Sequence, residues 1–113
     1  MTDAADRLAA LREEELRRVA DLRAELADVL DSASSTTGDD EHDPEGATIG
    51  LERAQAQALL DAATAHLEEI DAAQARVAAG TYGTCTRCGR PIGDERLAAR
   101  PAAPLCITCA SHP

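Results

Sequence analysis

The stretch CTRCGRPIGDERLAARPAAPLCITC, residues 85–109, decides how this chain folds. It holds all four cysteines, Cys85, Cys88, Cys106 and Cys109, at the spacing C-x2-C-x17-C-x2-C. It has no Phe or Trp and few aliphatic side chains, so it lacks the apolar bulk that would hold such a segment in one shape. In a reducing compartment, two close pairs of thiols point to metal ligation rather than to disulfides. Each C-x2-C pair folds as a tight turn aiming two thiolates at one point. Two such turns make the tetrahedron that Zn2+ favours, with Zn–S bonds of about 2.3 Å. Gly89, directly after the first pair, suits the left-handed backbone that ends such a turn. The free energy of binding the metal is then also free energy of folding, replacing the missing core. Four protein ligands leave no position for water, so one Zn2+ is expected in a structural role. Iron, alone or in a cluster, is compatible with the same ligands. A redox C-x2-C would need a strand–helix setting that the flanking residues do not offer.

Outward from the cysteines, composition limits what the rest can be. A chain of 113 residues with one Tyr, no Phe and no Trp cannot fill a large globular core. Its apolar content is Ala, Leu, Val and Ile beside Glu, Asp and Arg, the composition of long amphipathic helices packed at close range. The net charge of −10 comes from 21 acids against 11 basic residues, all arginine. That balance argues against gripping nucleic acid through its phosphates, and no direct sequence-specific DNA binding is expected. A basic protein surface or a metal ion is the favoured partner. No basic head precedes an apolar run, and no run approaches the roughly 20 apolar residues of a membrane span, so a cytoplasmic protein with no membrane partner is expected.

From about residue 4 to 32 there is no Gly or Pro, and Leu8, Leu11, Leu16, Val19, Leu22, Leu26, Val29 and Leu30 recur at helical spacing. They form a stripe roughly 140° wide. Arg12 and Glu15 also project into it, with their stems expected along the partner helix and their heads in water. A second helix is expected over about 48–79, carrying Ile49, Ala56, Leu59, Leu60, Ala63, Leu67, Ile70, Val77 and Ala78. Within it Ile49, Ala56, Ala63, Ile70 and Val77 keep an unbroken heptad, and Gly80 follows as a stop. Asp43 and Pro44 suit the N-cap and first helical position, but Gly46 and Gly50 weaken the start, so regular helix is expected only after Thr48. The fold is therefore expected to be mainly α: an antiparallel two-helix coiled-coil hairpin over 1–79, then a four-cysteine zinc finger with a short tail over 80–113. The loop, 33–47, would form the hairpin tip.

Charge follows this division. Within 85–109, Arg87, Arg90, Arg96 and Arg100 outnumber Asp94 and Glu95, a balance of +2 before the thiolates, while the remainder sums to −12. Five of residues 39–45 are acidic: Asp39, Asp40, Glu41, Asp43 and Glu45. In an arbitrary protein such a run simply keeps an exposed loop solvated. At a hairpin tip it also presents a concentrated negative potential. His42, His66 and His112 are expected to be exposed.

The segment GTYGTCTRCGRPIGDERLAARPAAPLCITC, residues 80–109, resembles the zinc finger of the DksA/TraR family of bacterial transcription regulators. The resemblance rests on G-x-Y-G-x-C-x-x-C-G, then I-G, then R-L-x-A-R-P, then C-x-x-C. It is carried by Tyr82, Gly83, Cys85, Cys88, Gly89, Ile92, Gly93, Arg96, Leu97, Ala99, Arg100, Pro101, Cys106 and Cys109. It implies the preceding helical hairpin. It also implies a protein that binds RNA polymerase beside its secondary channel and places acidic tip residues near the catalytic centre, in some members together with ppGpp. On this resemblance Asp43 is the matching tip residue, Asp40 or Glu45 stands as a substitute at a different geometry for the missing second aspartate, and the polymerase's catalytic Mg2+ is the natural target of these tip carboxylates. The finger surface is Arg87, Arg90, Arg96 and Arg100. Family tips read D-P-x-D-x-A; here Asp43 and Pro44 match, whereas Gly46 and Thr48 replace the second aspartate and the alanine. The chain ends four residues after Cys109, without the helix that follows the finger in longer members, and has no region before the first helix. The tip departures bear on the full regulatory effect more than on polymerase binding, and the two absences count against an expectation of ppGpp dependence. Two other classes stand beside the polymerase regulator. One is a zinc-ribbon adaptor that binds another protein or nucleic acid through its arginines. The other is an enzyme, for which there is no convergent His, Ser or open metal site, so none is expected.

Overall fold

The computed structural model describes residues 3–35 and 44–112, with side chains for 4–32 and 47–112. Among the described residues four helices follow one another: α1 Asp3–Ser35, α2 Pro44–Ala79, α3 Asp94–Ala99 and α4 Ile107–Ser111. Among the described residues the one strand-like pairing is an isolated antiparallel bridge between Thr84 and Pro91. The protein is a mainly α helical hairpin followed by a four-cysteine finger.

The hairpin helices, 33 and 36 residues long, have uninterrupted interiors apart from Gly46 and Gly50 near the start of α2. Helix α2 nevertheless reaches back to Pro44, four residues before Thr48. Proline suits this place because its φ is already helical and its missing N–H falls where no intrahelical acceptor exists. The end of α2 is closed by two bonds, Gly80 N–H to Val77 O at 3.2 Å and Thr81 N–H to Arg76 O at 2.9 Å. They form a Schellman motif around Gly80, whose φ of +80° a side chain would make costly.

The chain divides into two compact units, Met1–Glu14 with His66–Pro113, and Glu15–Ala65. In the first, Leu8 of α1, Ile70 and Ala73 of α2 and Ala102 of the finger make one buried cluster, edged by Leu11, Val77 and Tyr82. Arg12 Nε meets Asp71 Oδ1 at 2.7 Å, an ion pair half in water and so worth little on its own. His66, expected to be exposed, is half-buried and engaged in an interaction. In the second unit Val19 and Leu22 of α1 pack on Ala63 and Leu60 of α2. Along α2 every heptad position from Ile49 to Val77 is buried or half-buried, and alanine at 56 and 63 lets the opposing backbone come close.

Helix α1 departs from its expected stripe. Leu16 and Leu30 are 41% and 42% exposed, whereas Glu15, expected with its head in water, is only 8% exposed. Leu8, Glu15 and Leu22 are spaced by seven and lie on one line of the helix, which is the line turned inward. Leu16, one residue further, is rotated out by about 100°. A buried carboxylate is costly unless partnered, and Glu15 does take part in a polar interaction.

Candidate metal centre

The finger begins where the Schellman turn releases the chain from α2. Ile92 N–H bonds Gly83 O at 2.8 Å and Cys85 N–H bonds Arg90 O at 2.8 Å, so residues 83–92 form a narrow antiparallel turn around the first knuckle. At its apex Gly89 has φ +75° and returns its N–H to Cys85 O at 3.0 Å. The second knuckle is built differently: Cys106 is the N-cap of α4, and Cys109 sits one turn along that helix. Thr86 N–H reaches Pro104 O at 2.9 Å and ties the first knuckle to the segment leading into the second.

This framework brings the four thiols together. Their sulfur atoms all lie within 4.8 Å of one another, and Cys88 Sγ is 3.7 Å from Cys106 Sγ. Four sulfurs about 2.3 Å from a common centre are separated by about 3.8 Å along each tetrahedral edge, so the observed spacing fits a four-coordinate ion. It is far from the roughly 2.05 Å of a disulfide. Among the described residues no other group of His, Cys, Asp or Glu is arranged for metal.

The electrostatics favour thiolate at Cys85 and Cys106. The backbone N–H of Cys88, then that of Cys106, hold the Cys85 pKa down to about 6 against the opposing effect of burial, with Arg87 N–H adding to them. The Cys109 N–H lowers Cys106 in the same way. Cys109 itself is pushed up to about 12, by burial and then by the neighbouring sulfurs. Crowded thiolates repel, so Cys109 keeps its proton until a cation replaces it.

Around the sulfurs the finger has a small core in which Cys85 and Cys106 pack with Ile92 and Leu97, edged by Tyr82, Leu105 and Cys109. The four arginines assigned to the finger surface occupy distinct settings. Arg87 Nη1 donates to Cys109 O at 2.9 Å and to His112 O at 2.7 Å. Arg96 Nε donates to Leu105 O at 2.8 Å. Arg100 Nη2 faces Glu69 Oε2 at 3.7 Å across a largely exposed pair, and Arg90 is exposed. Arg96 and Arg100 also flank an open groove of about 570 Å³ with Ile92, Ala99 and the 63%-exposed Ile107. Of the tip residues, Asp40 and Asp43 lie outside the described residues, and Glu45 is described only as backbone in the first turn of α2. No helix among the described residues is long and apolar enough to cross a membrane.

The model of the family described as "Prokaryotic dksA/traR C4-type zinc finger" matches residues 80–111. Together with the cage of four thiols it makes this centre a single structural zinc site. An uncharacterized protein of Aquifex aeolicus is 44% identical over 54 residues, 48% of this chain and 37% of that protein. The RNA polymerase-binding transcription factor DksA of Haemophilus influenzae is 34% identical over 97 residues, 86% of this chain and 59% of that protein. This chain thus spans less than two thirds of either relative's length. The solved structure of transcription factor DksA2 from Pseudomonas aeruginosa superposes with a TM-score of 0.74 at 34% identity, covering 96% of this chain and 78% of that one.

Proposed function

Since this chain belongs to the DksA/TraR family of C4-type zinc-finger proteins, we propose that it is a non-enzymatic transcription regulator that binds RNA polymerase at the secondary channel. The hairpin enters the channel, and the acidic tip, Asp40, Asp43 and Glu45, is directed toward the active centre. The zinc finger meets the polymerase surface outside, with Arg90 and Arg100 the exposed arginines whose guanidiniums make no bond among the described residues of the finger. The observation that carries this reading is the likeness to DksA2, which covers 96% of this chain and so takes in the hairpin as well as the finger. Charge is compatible with it: outside residues 85–109 the chain sums to −12, which opposes insertion between nucleic-acid phosphates and favours contact with a basic protein surface or a metal ion.

The test is co-elution of the zinc-loaded protein with purified bacterial RNA polymerase, followed by competition with another secondary-channel protein. Binding at micromolar concentration that the competitor displaces is expected. No binding would reject the reading, and binding without competition would move the site elsewhere on the polymerase. Transcription assayed with and without ppGpp separates a stand-alone regulator from one that needs the nucleotide.

A further inference from the structure

We infer that Arg87 and Arg96 are positioning residues of the zinc site, two guanidinium clamps that hold the second cysteine knuckle at the geometry the metal requires. The second knuckle has no strand pairing to hold it: Cys106 only caps a helix of five residues, and Cys109 lies within that helix. A helix this short is not stable alone, so something outside it must keep Cys109 aimed at the other three sulfurs. Arg87 sits between the two cysteines of the first knuckle, and its Nη1 bonds the carbonyls of Cys109 and His112. The cation thus lies at the negative end of α4, where Cys109 O also accepts the capping N–H of His112 at 3.2 Å and His112 O lies beyond the last helical turn. Arg96, on α3, bonds the carbonyl of Leu105, the residue before Cys106. One arginine therefore secures the exit of the second knuckle and the other its entry. Neither touches the metal; each acts through a ligand-bearing segment, as the hydrogen-bond partners of ligands do in other zinc sites. Both guanidiniums spend their bonds inside the finger, which separates them from the exposed Arg90.

The experiment compares zinc affinity in the full chain by competition with a chromophoric chelator, and records the absorption spectrum of the Co2+-substituted protein. Arg87→Gln and Arg96→Gln are each expected to weaken zinc binding by about 10–100-fold. The far-ultraviolet helical signal should be retained and the ligand-field bands of Co2+ altered, since a loosened ligand distorts the tetrahedron. Arg90→Gln removes the same charge without touching the second knuckle and should leave both readouts at wild-type values. Wild-type affinity and an unchanged Co2+ spectrum in Arg87→Gln would overturn the inference, as would an equal loss in Arg90→Gln, which would mean that only bulk charge matters. Should Arg87→Gln not fold, Arg87→Lys decides. Its ammonium keeps the charge on a shorter stem, so affinity below that of Arg90→Gln supports the clamp, and affinity at or above it refutes the clamp.

Discussion

The hydroxyl of Tyr82 donates to the carbonyl of Pro101 at 2.7 Å. Tyr82 is the chain's one aromatic residue, and it packs against both the cluster around Leu8 and Ile70 and the cluster around Cys85 and Leu97. A single ring thus joins the base of the hairpin to the metal-organised finger. Its hydrogen bond fixes the loop that carries Ala102, 3% exposed, into the first cluster.

Tyr82→Phe keeps the ring and deletes the bond, leaving a half-buried carbonyl unpaired. It should cost about 1 kcal/mol of stability, measured by chemical denaturation, with zinc content unchanged. Tyr82→Ala should cost about 3 kcal/mol because both clusters lose their shared wall. Equal losses in the two variants would show that the hydroxyl, not the ring, makes the joint.

Zinc removal by a chelator, or Cys85→Ser, should unfold the finger and leave most of the helical signal. Helices α3 and α4 contribute 6 and 5 residues against 33 and 36 for α1 and α2. Amide protection over 83–110 should vanish while that near Val19 and Ala63 persists. Retained protection in the finger would contradict the structural role of the metal.

The pH dependence has a definite sign. Cys85, lowered to about 6, and Cys106, also lowered, contribute stability to the finger that is full above the ordinary thiol pKa and lost as pH falls through about 6. Cys109, raised to about 12, acts in the opposite sense in the metal-free finger and must give up its proton when zinc arrives. Zinc affinity should therefore rise with pH, the metal should be released in acid, and calorimetry in buffers of different ionisation enthalpy should detect at least one proton released per zinc near pH 7.5. Binding without proton release would contradict the thiol assignment of Cys109.

Leu8 is fully buried and Leu16 is 41% exposed, although both belong to the stripe visible in the sequence. Leu8→Ala should cost about 2–5 kcal/mol. Leu16→Ala should stay within about 0.5 kcal/mol of the parent. Thermal denaturation of the two variants side by side checks which line of α1 faces inward.

Asp43→Asn tests the tip within the proposed function. Transcription output should change while polymerase affinity stays within about twofold. If both fall together, the tip serves as an anchor for binding and not as a device aimed at the active centre.

Much of this protein could be read from residue order alone, for a physical reason. Helices of 33 and 36 residues announce themselves through local spacing, because backbone bonds and the burial of one face depend on neighbours three, four and seven positions away. The four cysteines were equally plain, since a tetrahedral ion accepts few arrangements and each knuckle is a local turn. What residue order left open was decided by contacts between distant segments. The inward turn of Glu15 and the outward turn of Leu16 depend on how α1 meets α2, and a broad stripe admits several such rotations. Arg87 and Arg96 were legible as positive charge, yet their carbonyl partners lie 9 to 25 residues away. Only the closed finger brings those partners within reach, and in doing so turns two surface cations into clamps.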